Sequence, residues 1–159
     1  MKIKSYPIAK PYFSDREIKL ILSNFKKILE GKGLMTMGPY VTKFENNFSK
    51  FIGCKYSIAT SSCTSALEIA IHALNLKKND EIIIPSQTFI ATASAVLRNN
   101  LKLKICEINE KFQIDFEALK GLITKKTKAV IIVHYAGYID KKIFEIKKYL
   151  RTRKIKIIE

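Results

Sequence analysis

The stretch Ala59-Thr60-Ser61-Ser62-Cys63-Thr64-Ser65-Ala66-Leu67 organises the reading of the chain. An apolar-leaning, strand-like segment, Lys55 to Thr60, runs into a cluster of small hydroxyl residues. That cluster opens a strongly apolar helix, Ala66 to Leu76, whose small polar surface predicts burial against a sheet. A strand that stops at small polar residues and feeds a helix leaves free backbone N–H groups at the positive end of the helix dipole, which suits an anion. Thr64 and Ser65 add hydroxyl donors, and a phosphate is the natural guest. Ser and Thr are also the commonest N-caps, most of which bind nothing. On this stretch alone both readings stand.

Working outward, the pattern downstream alternates. Glu81 to Pro85 contains Ile82-Ile83-Ile84, a continuous apolar run that predicts a strand covered on both faces. A small-residue helix follows from Ile90 to Leu97. Leu101 to Ile108 reads as a strand, and Asp115 caps a helix from Phe116 to Ile123. Ala129 to Val133 is the most hydrophobic strand, with His134 to Gly137 as its C-terminal loop. A helix from Lys141 to Leu150 and a short strand from Lys154 to Ile158 complete the series. Upstream, Tyr6 to Phe13 carries Pro7 and Pro11 and reads as an extended arm. Ser14 and Glu17 form a capping box for a helix with Ile18, Ile21, Leu22, Phe25, Ile28 and Leu29 on one face. Pro39 starts a second helix, with Val41, Phe44, Phe48 and Phe51 as its face and Gly53 as its close.

Strands alternating with helices predict an α/β fold, a mostly parallel sheet with helices on both faces. Ligands of such sheets bind outside the C-terminal strand ends. Three polar clusters fall there: Ser61 to Ser65, Ser86 to Phe89, and His134 to Gly137. Their convergence predicts one site.

Composition removes other classes. A chain of 159 residues with 47% hydrophobic residues has one domain's length and can bury a core. No apolar run is long enough for a membrane span, and no apolar segment follows Met1 to Ser5 as in a signal peptide. Three scattered cysteines (Cys54, Cys63, Cys106) fit a reducing compartment, so a cytoplasmic location is expected. His72 and His134 lie far from any cysteine at zinc-ligand spacing, so no metal site is expected. The net charge of +15 invites nucleic acid, yet the lysines are spread along the chain and no aromatics interleave with basic runs. Neither nucleic acid nor a membrane is expected as a partner.

Four motifs in order carry a family resemblance: Gly38 to Glu45 (Gly-Pro-Tyr-Val-Thr-Lys-Phe-Glu), Ala59 to Leu67, Pro85 to Thr92 (Pro-Ser-Gln-Thr-Phe-Ile-Ala-Thr), and Val133 to Gly137 (Val-His-Tyr-Ala-Gly). Together they resemble the N-terminal portion of the DegT/DnrJ/EryC1/StrS sugar aminotransferases, over about Pro7 to Glu159. The resemblance implies the large domain of a fold-type I transferase that depends on pyridoxal 5'-phosphate. It also implies a nucleotide-activated keto-sugar as substrate, an amino-acid donor, a homodimer, and work in amino-sugar or cell-surface polysaccharide biosynthesis. It implies Thr64 and Ser65 as the pair that binds the cofactor phosphate, and Phe89 as the aromatic residue that stacks on the pyridine ring. Without the resemblance Phe89 reads as well as a core aromatic. Gln87 and His134 fall near the site with no chemistry assigned. The loop Leu34 to Tyr40 is implied on the substrate side.

Two departures qualify the match. Cys63 stands where the family has Gly, and its Cβ either crowds a tight turn or a phosphate approach, or is tolerated with little change. The family's acidic partner of the pyridinium nitrogen follows the strand at Lys154 to Glu159, and its Schiff-base lysine comes later still. Glu159 matches the residue before that acid and takes no role. No catalytic residue is therefore assigned. The expectation is a partial large domain over 1–159, with 1–54 as an N-terminal helical arm and the small C-terminal domain lying outside the chain. This fragment is expected to be inactive alone and prone to association through an exposed sheet edge. The alternative is a complete small α/β module that binds a phosphorylated ligand without catalysis.

Overall fold

A computed structural model describes residues 10–159; the first half of the expected arm at Tyr6 to Phe13 lies outside them. The chain divides into two compact units, Met1–Ala59 and Thr60–Glu159.

In the first unit, α1 (Asp15–Lys27) begins with the expected capping box. The Ser14 hydroxyl accepts from the Glu17 N–H at 3.4 Å, and the Glu17 carboxylate accepts from the Ser14 N–H at 2.7 Å. A wider turn over Ile28–Lys32 bends at Gly31, whose φ of 74° favours glycine. α2 (Pro39–Ile52) starts at Pro39 and ends at Gly53 in the left-handed region. Gly38 before it has no room for a side chain, since a Cβ would stand 2.8 Å from the Leu34 carbonyl oxygen. Both helices are amphipathic as expected, but neither buries a residue.

The second unit holds α3 (Cys63–Ala73), β1 (Glu81–Pro85), α4 (Ile90–Arg98), β2 (Lys102–Cys106), α5 (Phe116–Leu122), β3 (Thr127–Ile131), α6 (Ile143–Thr152) and β4 (Lys156–Ile158). The four strands form one parallel sheet in the order β2-β1-β3-β4. Every residue of β1 is buried, as its continuous apolar run requires. Alternate strand residues feed two cores. Ile82, Ile84, Ala129 and Ile131 pack with Ile71 of α3 and with Ala95 and Val96 of α4. Ile83, Val130 and Ile132 pack with Leu119 of α5 and with Ile143, Ile146 and Leu150 of α6. Helices thus cover both faces, and the expected fold class holds.

Three local expectations are corrected. Lys55 to Thr60 is irregular, with a bend at Lys55, and is not a strand, because no segment among the described residues pairs with it. α3 ends at Ala73 rather than Leu76, where Asn75 turns to a φ of 50°. It also presents a single stripe to the sheet. Only Ile71 is fully buried and Ile69 is exposed, so its apolar circumference is not a buried one. β2 and β3 stop short of Ile108 and Val133, and Ile108 instead bridges Ile114 in an antiparallel pair.

Candidate functional site

The site grows from the starts of α3 and α4 beside the carboxyl ends of β3 and β4. Ser62 is the N-cap of α3, its backbone extended and its hydroxyl accepting from the Ser65 N–H at 3.2 Å. The Ala66 N–H is taken by the Ser62 carbonyl. The amides of Cys63 and Thr64 in the first turn remain directed off the helix end, where the dipole is positive. Phe89 is the N-cap of α4, a residue that supplies no capping side chain. Its ring is 76% exposed, which removes the core-aromatic reading.

These two helix starts meet the ends of β3 and β4 around one cavity of about 430 Å³. Cys63, Thr64 and Leu67 line it from α3, and Thr88, Phe89, Ala91 and Thr92 from the start of α4. The chain leaving β3 contributes Ile131 to His134, and β4 contributes Ile158 before Glu159. Its wall is mainly apolar, with hydroxyl groups from Thr64, Thr88 and Thr92.

Among the expected site residues, Thr64 and Phe89 share this cavity. Ser65 does not line it. Its hydroxyl is engaged with those of Ser61 at 3.2 Å and Ser62 at 3.1 Å. Gln87 is exposed beside the site. Cys63 does not have the positive φ that would call for glycine, so its side chain brings no backbone strain. Leu34 to Tyr40 belongs to the other unit.

Sequence reasoning passed over a polar chain at the inner end. The His134 Nε2 lies 2.6 Å from Glu159 Oε1, and the second Glu159 oxygen pairs with Lys147 of α6. Burial alone would raise the Glu159 pKa. Hydrogen bonds from Lys147 and His134 outweigh that and hold the carboxyl below its ordinary range. His134 and Glu159 also line the cavity, and their polar atoms tie the ends of β3 and β4 to α6. The sequence signal was the register of the two strands, which a linear reading does not supply. Among the described residues no cluster of His, Cys, Asp or Glu could hold a metal ion, and no helix is long and apolar enough to cross a membrane.

Known proteins with this architecture define the class. The model of the DegT/DnrJ/EryC1/StrS aminotransferase family matches residues 15–159, and the chain belongs to that family. The GDP-4-keto-6-deoxy-D-mannose 3-dehydratase of Escherichia coli O55:H7 is 35% identical over 162 residues, covering 98% of this chain and 40% of its own length. The solved E. coli GDP-4-keto-6-deoxy-D-mannose-3-dehydratase with bound hydrated pyridoxal phosphate superposes with a TM-score of 0.83 at 34% identity, over 96% of this chain and 40% of that one. The Helicobacter pylori aminotransferase PseC, involved in pseudoaminic acid biosynthesis, superposes with a TM-score of 0.86 at 27% identity, over 97% and 40%. The chain thus spans about two fifths of the length of these relatives.

Proposed function

We propose that these residues form the part of a pyridoxal-phosphate enzyme that cradles the cofactor phosphate and stacks on its ring. The whole protein then acts on a nucleotide-activated keto-sugar. The observation that carries the reading is the sharing of one cavity by Thr64, at the positive end of α3, and an exposed Phe89 ring at the start of α4. The residues fit the group. Two first-turn amides and the Thr64 hydroxyl suit a phosphate, a bare aromatic face suits a flat electron-poor ring, and the apolar wall excludes water from it. Ser65 belongs to the cradle through its place in the first turn, and its hydroxyl joins by turning from its serine neighbours.

When bound, pyridoxal phosphate supplies an electron sink for chemistry at the substrate carbon. The residues in hand bind and orient it. Thr64 and Ser65 hold the phosphate, Phe89 fixes the ring plane, and the Glu159–His134 pair keeps the inner wall in place. Transamination of the sugar, on a homodimer in the cytoplasm as part of amino-sugar or polysaccharide biosynthesis, is the favoured reading. Removal of a sugar hydroxyl is the second, favoured by the 35% identity to a 3-dehydratase.

The test is titration with 4-deoxypyridoxine 5'-phosphate, which lacks the aldehyde and cannot react with surface lysines. Saturable binding that weakens about 10-fold in Thr64→Val, the loss of a hydrogen bond to a charged group, supports the reading. Equal affinity for 4-deoxypyridoxine without its phosphate would overturn the cradle.

A further inference from the structure

Thr88 and Thr92 stand one helical turn apart where the chain enters α4, and their Oγ1 atoms are 2.7 Å apart. Both line the cavity that Thr64 and Phe89 share. The bond between them has a direction, and burial decides it. A hydroxyl has one proton to donate and two lone pairs with which to accept. Thr92 is 4% exposed, and among the described residues nothing but Thr88 takes its proton. Were Thr92 the acceptor, its own proton, on the less accessible of the two side chains, would have no protein partner, the costlier arrangement. Thr92 therefore donates and Thr88 accepts. The proton of Thr88, half-buried at the cavity wall, is left to donate outward.

We propose that Thr88 is a ligand-binding residue of this site, donating its hydroxyl to an acceptor oxygen of the bound cofactor, and that Thr92 is the positioning residue that aims it. The proposal rests on the pyridoxal-phosphate reading of the cavity. It adds a third hydroxyl next to the ring-stacking residue, outside the two motif positions at the start of α3. An isolated donor on a mobile rotor loses part of its value to ordering. A donor with one lone pair already engaged by a buried neighbour has fewer orientations open to it and loses less on ordering.

The experiment is binding of 4-deoxypyridoxine 5'-phosphate to the purified chain and to Thr88→Val, Thr88→Ser, Thr92→Val and the double variant, each checked for folding by circular dichroism. Thr88→Val should weaken binding about 3–10-fold, the range of one neutral hydrogen bond. Thr88→Ser should bind nearly as the parent. Thr92→Val should weaken binding about 2–5-fold in the parent and add nothing in the Thr88→Val background, which is the mark of a residue acting through another. The ligand without phosphate locates the acceptor. A Thr88→Val effect that persists puts the acceptor on the ring, and one that vanishes puts it on the phosphate. Parent-like binding by Thr88→Val, or an equal Thr92→Val effect in both backgrounds, overturns the assignment while leaving the cofactor reading intact. If the parent binds no form of the compound, the cofactor reading falls and this inference with it. Should Thr88→Val fail to fold, the affinity of Thr88→Ala against Thr88→Ser decides the same question.

Discussion

The imidazole of His134 and the carboxylate of Glu159 join the ends of β3 and β4 through a contact of 2.6 Å between Nε2 and Oε1. The carboxylate can only accept, so the Nε2 carries the proton. Lys147 on α6 takes the other Glu159 oxygen, so one carboxyl ties two strand ends to a helix. The Glu159 pKa is lowered on folding. Its contribution is therefore present above about pH 4.5, the unfolded carboxylate value, and is lost as pH falls through the lower folded value. Glu159→Gln should cost about 1 kcal/mol at pH 7, a modest figure because the side chain is one-third exposed. Urea melts at pH 7 and pH 3 check this. A difference between parent and variant that is unchanged at pH 3 contradicts the assignment.

Phe89 separates stability from binding. With its ring exposed, Phe89→Ala should move the thermal midpoint by less than the equivalent of about 0.5 kcal/mol, as for a surface substitution. Affinity for 4-deoxypyridoxine 5'-phosphate should fall about 2–10-fold, the worth of an aromatic stacking contact. A core aromatic would behave in the opposite way, with a large loss of stability. Melting and titration of the same sample discriminate the two.

The three cysteines should react at different rates. Cys54 and Cys63 are exposed, whereas Cys106 is buried at the end of β2. Burial, with Asp115 and Glu107 adding negative charge, pushes the Cys106 thiol up to about 12, so almost no thiolate is present at neutral pH. A thiol-specific chromogenic reagent should label two groups in the native protein and the third only after unfolding. Because Cys63 lines the cavity, 4-deoxypyridoxine 5'-phosphate should slow its labelling and leave that of Cys54 unchanged. Peptide mapping reads both outcomes.

At the opposite end of the sheet, Glu81 is a buried carboxylate bonded by the Thr124 hydroxyl at 2.6 Å, with Lys104 and the Thr127 hydroxyl each at 3.3 Å. The Thr124 bond is the main cause of its lowered pKa. Burial opposes the shift, and Lys104 and Thr127 add to it. Thr124→Val should cost about 1–2 kcal/mol at pH 7 by leaving a buried anion short of a donor. The folded value is depressed, so this cost should shrink as pH falls below about 4.5 and the carboxyl protonates. Denaturant melts over that interval test it, and a constant cost argues against the carboxylate as the partner that matters.

Ile82 to Ile84 declared β1 because a strand buried on both faces has no polar positions to hide its period. Ser14 and Glu17 declared the start of α1 because a capping box is a local device. Lys55 to Thr60 misled because strand identity needs a partner, and pairing is not written in a segment's own composition. α3 misled for a related reason. Its apolar circumference says what could be buried, while a sheet covers only one stripe. That Thr64 and Phe89 would meet at one cavity was legible, since both sit in motifs at helix starts. The Ser65 hydroxyl was not, since its rotor answers to Ser61 and Ser62. The Thr88–Thr92 pair and the His134–Glu159 contact depend on a helical turn and on strand register, geometry that appears only when the chain folds.

The sheet contains no hairpin. β1 lies in the middle, and its partners on either side arrive only after a helix has been traversed, with β3 beginning at Thr127 against a β1 that ends at Pro85. Every strand pairing must therefore close a long loop before any of its hydrogen bonds reward the closure. No strand pairing is local, so the sheet is expected to form late in folding. The local contacts of the chain lie in α3 to α6, and the sheet adds the non-local ones that set its folding rate.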